Sequence, residues 1–330
     1  MTPRLQNSSE QFSMRSATQM PIRRFASAAV KPFQTQEPAS RVSYDERSRT
    51  AFVFAGGGSL GAIHVGMLHS LASRGIVTDM VVGSSVGALN GAYYAGNPTV
   101  KGIQRLDTIW RGLRRSDVFP FTWRTVMGFL YRRDFLVTSD ALRQFVDDNL
   151  GYCNLEDAKL PVHIVATDIL TGSTVVMSEG PAARAIIASA AVPAAFEPVH
   201  FNDLYLADGA VSSSTPVTVA VARGARRLIV LPTGYACALE EPPAGAVANA
   251  LHALTLLIAR QLVNELRGLD HGIQYFVVPP LCPLTESPYD FSKTSELIER
   301  AARSTDAWLS EGGLDHPRVH AQLSTHKHRH

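Results

Sequence analysis

From residue 50 onward the apolar residues fall into short unbroken runs and longer stretches of helical spacing, separated by clusters of small residues. Residues 50–55 form one such run, end in Gly56-Gly57-Gly58-Ser59-Leu60-Gly61, and lead into 62–71, where apolar positions recur with a helical period. That order predicts strand, glycine loop and helix. A second run at Val81-Val82 is broken by Gly83-Ser84-Ser85-Val86-Gly87 and resumes as a helix to Ala95, with Gly96-Asn97-Pro98 as its stop. Beyond it the spacing predicts a helix over 140–150, a buried strand over 160–167, a turn at 171–173 and a paired strand over 174–177. Small residues over 182–191 predict a helix against which something packs closely. Residues 204–207 form a short strand ending at Asp208-Gly209-Ala210, 227–231 and 273–278 complete the sheet, and 247–269 and 292–309 are long helices. Strands alternating with helices predict an α/β fold, a three-layer sandwich with a mostly parallel central sheet and helices on both faces.

The break between Gly83 and Gly87 has the form of a nucleophile elbow, Gly-x-Ser-x-Gly at a strand-to-helix turn. Ser85 is the candidate nucleophile. Gly83 and Gly87 remove the Cβ atoms that would collide across so tight a turn. The helix opening at Val86 points unpaired N–H groups toward the serine oxygen. Small residues also cluster in ordinary turns, so the pattern alone does not decide. Upstream, Gly56, Gly58 and Gly61 spell Gly-x-Gly-x-x-Gly, which raises a dinucleotide-binding alternative. That fold needs an acidic residue at the carboxyl end of the second strand. Here Asp79 precedes the strand, and its carboxyl end carries the serine. N–H groups of a glycine loop serve an oxyanion as well as a phosphate. Gly57 and Gly58 are therefore expected near a carbonyl attacked by Ser85. An aspartate before Gly-Ala commonly makes a turn, so Asp208 taken alone stays open between turn and chemistry.

Composition changes this picture little. The 330 residues are 45% apolar and 18% charged with net charge +2, an ordinary globular balance that does not point to a nucleic-acid partner. No stretch is apolar enough to span a bilayer, and the chain is expected to be cytoplasmic. Cys153, Cys237 and Cys282 are widely spaced and odd in number, which fits neither a disulfide framework nor a zinc site; they read as small buried hydrophobes. Residues 1–49 are rich in Ser, Gln and Arg, net +4, and are expected to form a disordered leader, with a transit peptide or an over-extended start upstream of Met14 or Met20 as alternatives. Residues 313–330 are expected to be a flexible His-rich tail. Residues 101–136 change character. Eight basic residues face three acidic ones, interleaved with Trp110, Phe119, Phe121, Trp123, Phe129, Tyr131 and Phe135. Such a mixture suits a peripheral membrane contact or a cap over the site mouth with a solvated basic face.

Taken in order, these blocks resemble the patatin-like phospholipase family. Gly56 to Gly61 is similar to its oxyanion loop, Gly83 to Gly87 to its nucleophile motif, and Asp208-Gly209-Ala210 to its Asp-Gly-Ala/Gly motif. Ala166-Thr167-Asp168 with Thr171-Gly172, and Ala188 to Pro193 with Phe196 and Pro198, are similar to its connecting blocks. The resemblance covers about residues 50–232 and, more loosely, extends to the last helix, which implies an acyl hydrolase domain over 50–312. It implies a Ser85–Asp208 dyad acting on a lipid ester, with Gly56, Gly57 and Gly58 holding the developing charge, and no metal or cofactor. Leu60 stands where many members carry a basic residue, and Ser214 where an asparagine is common.

Two other readings compete. An α/β-hydrolase triad would need a histidine after the acid, and His252, His271 and the tail histidines are poorly placed for it. A non-catalytic scaffold for lipid or protein belongs to a different class, but it has no reason to keep Ser85, Asp208 and the glycines together.

Overall fold

The computed structural model describes residues 49–118, 138–193, 195–235, 237–239, 241–242, 246–315 and Leu323. The expected leader up to residue 48, residues 119–136 of the basic aromatic stretch, and the tail beyond 315 apart from Leu323 lie outside the described residues.

Among the described residues eight strands form one sheet. They are β1 (Thr50–Phe54), β2 (Met80–Ser84), β3 (Val162–Asp168), β4 (Thr174–Met177), β5 (Val199–Phe201), β6 (Leu204–Asp208), β7 (Arg227–Leu231) and β8 (Gln274–Val277). Their order is β5-β6-β3-β2-β1-β7-β8, with β4 also paired to β3. β3, β2, β1, β7 and β8 run parallel, while β4 and β6 oppose β3 and β5 opposes β6. The mostly parallel sheet expected from the sequence is present.

Among the described residues the α-helices are α1 (Ala62–Ser73), α2 (Val86–Gly96), α3 (Val100–Gly112), α4 (Arg115–Val118), α5 (Asp140–Asn149), α6 (Ala182–Ser189), α7 (Ala210–Ser213), α8 (Val217–Ala222), α9 (Ala246–Arg267) and α10 (Thr294–Ser310). β1 shows why the sheet needs cover on both faces, because all five of its residues are buried. Phe52 and Phe54 pack with α1, α2 and α10, whereas Ala51 and Val53 pack with α8 and α9. Alternation along a strand divides its side chains between two helical layers. Each phenylalanine so covered contributes about 1.5–3 kcal/mol.

Within the stretch 101–136 expected as a cap or a membrane contact, residues 101–112 form a helix with one face on the core. Thr99 caps α3 by accepting from the Gly102 N–H at 3.1 Å. Ile103, Leu106 and Trp110 are buried, while Lys101, Arg105 and Arg111 are exposed. Trp110 is therefore unavailable to a lipid surface, and Arg111 pairs with Asp107 and Glu299. The cysteine reading also needs correction. Cys153 is exposed, and Cys237 and Cys282 are partly buried with their Sγ atoms 3.9 Å apart. Sequence spacing hid that proximity because the two residues follow neighbouring strands, β7 and β8. Among the described residues no helix is long and apolar enough to cross a membrane.

Candidate active site

The two candidate reactive residues meet because two strands share one edge of β3. β4 covers one edge of β3 at Ile164 to Thr167. On the other edge, β2 pairs with β3 as far as Ser84 opposite Val165, and at the next position Ala166 is paired with Asp208 of β6. β2 runs with β3 and β6 runs against it, so their carboxyl ends point at each other. Ser85 leaves one end and Asp208 closes the other.

Ser85 is one of two described non-glycine residues with positive φ, at φ 54° and ψ −126°. Such a conformation is costly for a residue with a Cβ and persists only where surroundings impose it. Here they do. The Ser85 N–H donates to Ser189 Oγ at 2.8 Å, and Ser189 in turn donates to the Val165 carbonyl. The Ser85 carbonyl accepts from Ala88 and Leu89 at 2.9 and 3.2 Å, which opens α2. A Cβ at Gly83 would meet the Gly87 backbone, and one at Gly87 would meet the Phe54 carbonyl, so both expected collisions are real.

Ser85 Oγ donates to Asp208 Oδ2 at 2.7 Å. Asp208 Oδ1 accepts from the Ala210 N–H at 2.8 Å. Its backbone is pinned as well: the N–H donates to the Ala191 carbonyl at 2.9 Å, and the carbonyl accepts from Thr167 Oγ1 at 2.8 Å. Gly209 donates to the Ser189 carbonyl at 3.1 Å. Burial pushes the Asp208 carboxyl up to about 6, against the opposing pull of its bonds from Ser85 and Ala210. A carboxylate in this setting is a stronger base than one in water.

The glycine loop divides its N–H groups. Gly56 donates to the Ser214 carbonyl at 2.8 Å, so it is committed to the scaffold and leaves the expected set of three charge-holding glycines. Ser59 donates to the Pro288 carbonyl at 2.7 Å, and its Oγ to the Ser287 carbonyl at 3.1 Å. Thr233 Oγ1 donates to the Gly56 carbonyl at 2.6 Å. Between these anchors, the Gly57 and Gly58 N–H groups meet no acceptor among the described residues. Gly58 sits at φ +58° with the Pro288 carbonyl where a Cβ would point. Gly61 ends the loop and its carbonyl accepts from Asn90 Nδ2 at 2.9 Å. Leu60 is fully buried, which accounts for an apolar residue there. Ser214 serves through its backbone, and no partner for its hydroxyl lies among the described residues.

An apolar pocket opens beside Ser85 and Gly58, walled by Leu113, Leu142, Ile186, Phe196 and Phe291, with Trp110 among its lining. Ser85 contributes a hydroxyl to that lining. Asn90 organises the wall behind it: besides holding Gly61, it accepts from Trp110 Nε1 at 2.8 Å and lies 3.2 Å from His64 Nδ1. Burial depresses His64 to about 3, so its ring is neutral and structural.

His271 is exposed and precedes β8, at the amino edge of the parallel strands, opposite the edge that carries Ser85. The bond that Ser85 makes is to a carboxylate, not an imidazole. Sequence reasoning missed Ser189, Thr233 and Pro288 as supports. It also missed Tyr289, whose phenol burial and the nearby Asp208 charge push up to about 12. Only Ser189 left a trace in the sequence, as the polar residue of a small-residue helix.

A model of the patatin-like phospholipase family matches residues 52–221. Lysophospholipase NTE1 of Candida albicans is 26% identical over 292 residues, covering 81% of this chain and 20% of that protein. Lysophospholipase NTE1 of Mycosarcoma maydis is 29% identical over 182 residues, 55% of this chain and 9% of that protein. An uncharacterized NTE family protein of Mycobacterium tuberculosis is 29% identical over 182 residues, 54% of this chain and 47% of that protein. The chain thus spans about half or less of the length of these relatives. The matched segment runs from β1 through the glycine loop, the elbow and β6 into α8, the elements that carry the arrangement just described, and the chain belongs to the patatin-like phospholipase family.

Proposed function

We propose that this protein is a lipid acyl hydrolase in which Ser85 is the nucleophile and Asp208 the single general base. The observation that carries the reading is the 2.7 Å bond from Ser85 Oγ to Asp208 Oδ2, with Ser85 lining an apolar pocket. An acyl chain lies in the pocket and its ester carbonyl carbon sits over Ser85. As Ser85 Oγ attacks, its proton passes to Asp208, and the carbonyl oxygen takes negative charge. Gly57 and Gly58 offer N–H groups to that oxygen, each donor worth roughly 3–4 kcal/mol in related acyl transfer. Collapse of the adduct expels the alcohol portion, which leaves with the proton from Asp208. Water, deprotonated by the same carboxylate, then attacks the acyl-enzyme and frees the fatty acid and Ser85. The family and the lysophospholipase relatives support a lipid ester as substrate.

Incubation of the protein with an alkyl fluorophosphonate tests this directly. Mass mapping should find the phosphonyl adduct on Ser85, with hydrolysis of p-nitrophenyl acyl esters and lysophospholipid lost in proportion to labelling. A protein that hydrolyses neither ester and stays unlabelled would be a binding scaffold.

A further inference from the structure

The carboxyl ends of β7 and β8 release two loops that never meet in the sequence yet brace the same neighbour. The loop after β7 carries Thr233, which holds the Gly56 carbonyl. The segment after β8 carries Ser287 and Pro288, which hold Ser59. The loops also meet each other. The Ala238 N–H donates to the Leu284 carbonyl at 3.0 Å, and beside that bond Cys237 Sγ lies 3.9 Å from Cys282 Sγ. Parallel neighbouring strands deliver both loops to one edge of the sheet, so the pairing is a product of topology.

We propose that Cys237 and Cys282 form a reversible disulfide when the protein meets a hydroperoxide, tying the two braces of the glycine loop together. The sulfurs need to close from 3.9 Å to about 2.05 Å, a movement within reach of two partly buried side chains on loops. One thiolate attacks the peroxide oxygen, the O–O bond breaks, and a sulfenic acid forms as hydroxide or alkoxide leaves. The second sulfur attacks the sulfenic sulfur, the S–S bond forms and water departs. Two thiols and one hydroperoxide become one disulfide, one alcohol or water, and one further water. Two electrons pass from sulfur to oxygen, and both thiol protons end on oxygen. A dithiol returns the pair to the reduced state by exchange.

The crosslink closes a loop of about 45 residues, which restricts the unfolded chain and anchors the segment that abuts Gly58. The intact folded protein, treated with stoichiometric hydrogen peroxide and alkylated, should yield a Cys237–Cys282 linked peptide on non-reducing mass mapping, with Cys153 still alkylated. Dithiothreitol should restore both thiols. The melting temperature of the oxidised protein should exceed that of the reduced protein by about 5 °C. Cys237→Ala should abolish both the linked peptide and the rise, with Cys282→Ala as the second variant. Persistence of both thiols would overturn the proposal, as would separate over-oxidation of each sulfur or linkage between molecules through Cys153. These readouts follow sulfur and melting rather than ester turnover, so they stand or fall apart from the assigned hydrolysis.

Discussion

The junction of β2 and β6 and the pair of loops after β7 and β8 face the same few atoms and do different work. The junction brings the proposed nucleophile and base into contact: Ser85 Oγ meets Asp208 at 2.7 Å, and each residue is pinned through its own backbone. The loops bring no reacting group. Thr233, Ser287 and Pro288 instead hold the glycine loop by its flanks, and the Gly57 and Gly58 N–H groups meet no acceptor among the described residues. In the proposed mechanism one region decides whether a reaction can occur, and the other decides how well its charge is held.

If that division is right, damage at the junction should be catastrophic and damage at the braces graded. Asp208→Asn should lower ester hydrolysis about 10⁴-fold or more while the circular dichroism spectrum stays native. The same variant should be more stable than the parent at pH 8. Asp208 has a carboxyl raised to about 6 in the fold from 3.8, so the native state binds the proton more tightly and stability falls as pH rises through that interval. The buried charge then costs roughly 2–3 kcal/mol above it. Melting curves at pH 4 and pH 8 check this; an equal difference at both would sink the linkage.

Gly58→Ala comes next. It meets both a positive φ and the Pro288 carbonyl, and should lower kcat by about 10²-fold with a smaller change in KM. The dependence of kcat/KM on pH sharpens the junction side of the comparison. Its acid limb should rise with a midpoint near 6, since Asp208 must be ionised to take the proton, and the limb should survive Thr233→Val unchanged. Thr233→Val itself is the mildest test. Loss of its bond to the Gly56 carbonyl should cost about 1–2 kcal/mol in stability and lower kcat several-fold. A loss as deep as that of Asp208→Asn would erase the distinction between the regions.

The same division explains what the chain disclosed in advance. The glycine loop, the elbow and the Asp-Gly turn are contiguous motifs whose residue types are dictated by close backbone approach, and each was legible at its position. Strand 204–207 extends by one residue to Asp208 itself. The supports were not legible, because Thr233 and Pro288 reach the glycine loop from more than 170 residues away in the chain. Their residue types are ordinary for loops. α3 had a readable signal in Ile103, Leu106 and Trp110, spaced for one helical face, but the arginines and aromatics around it drew the reading toward a surface. β5, three residues long, is too short to register as a period. The cysteine pair shows the converse error, since spacing along a chain says nothing about two loops released by adjacent parallel strands.

β3 works as a ruler. Its seven residues offer one edge of fixed length, and β2 and β6 divide that edge between them with no position to spare. Deleting one residue inside β6 would turn every following side chain to the opposite face, carrying the carboxylate of Asp208 away from Ser85 although both residues survive. Lengthening β2 by one residue would push the elbow into the place that Asp208 holds. The connections outside this edge carry no such constraint. Chain length is therefore free to drift only in loops that neither lie on this edge nor brace the glycine loop.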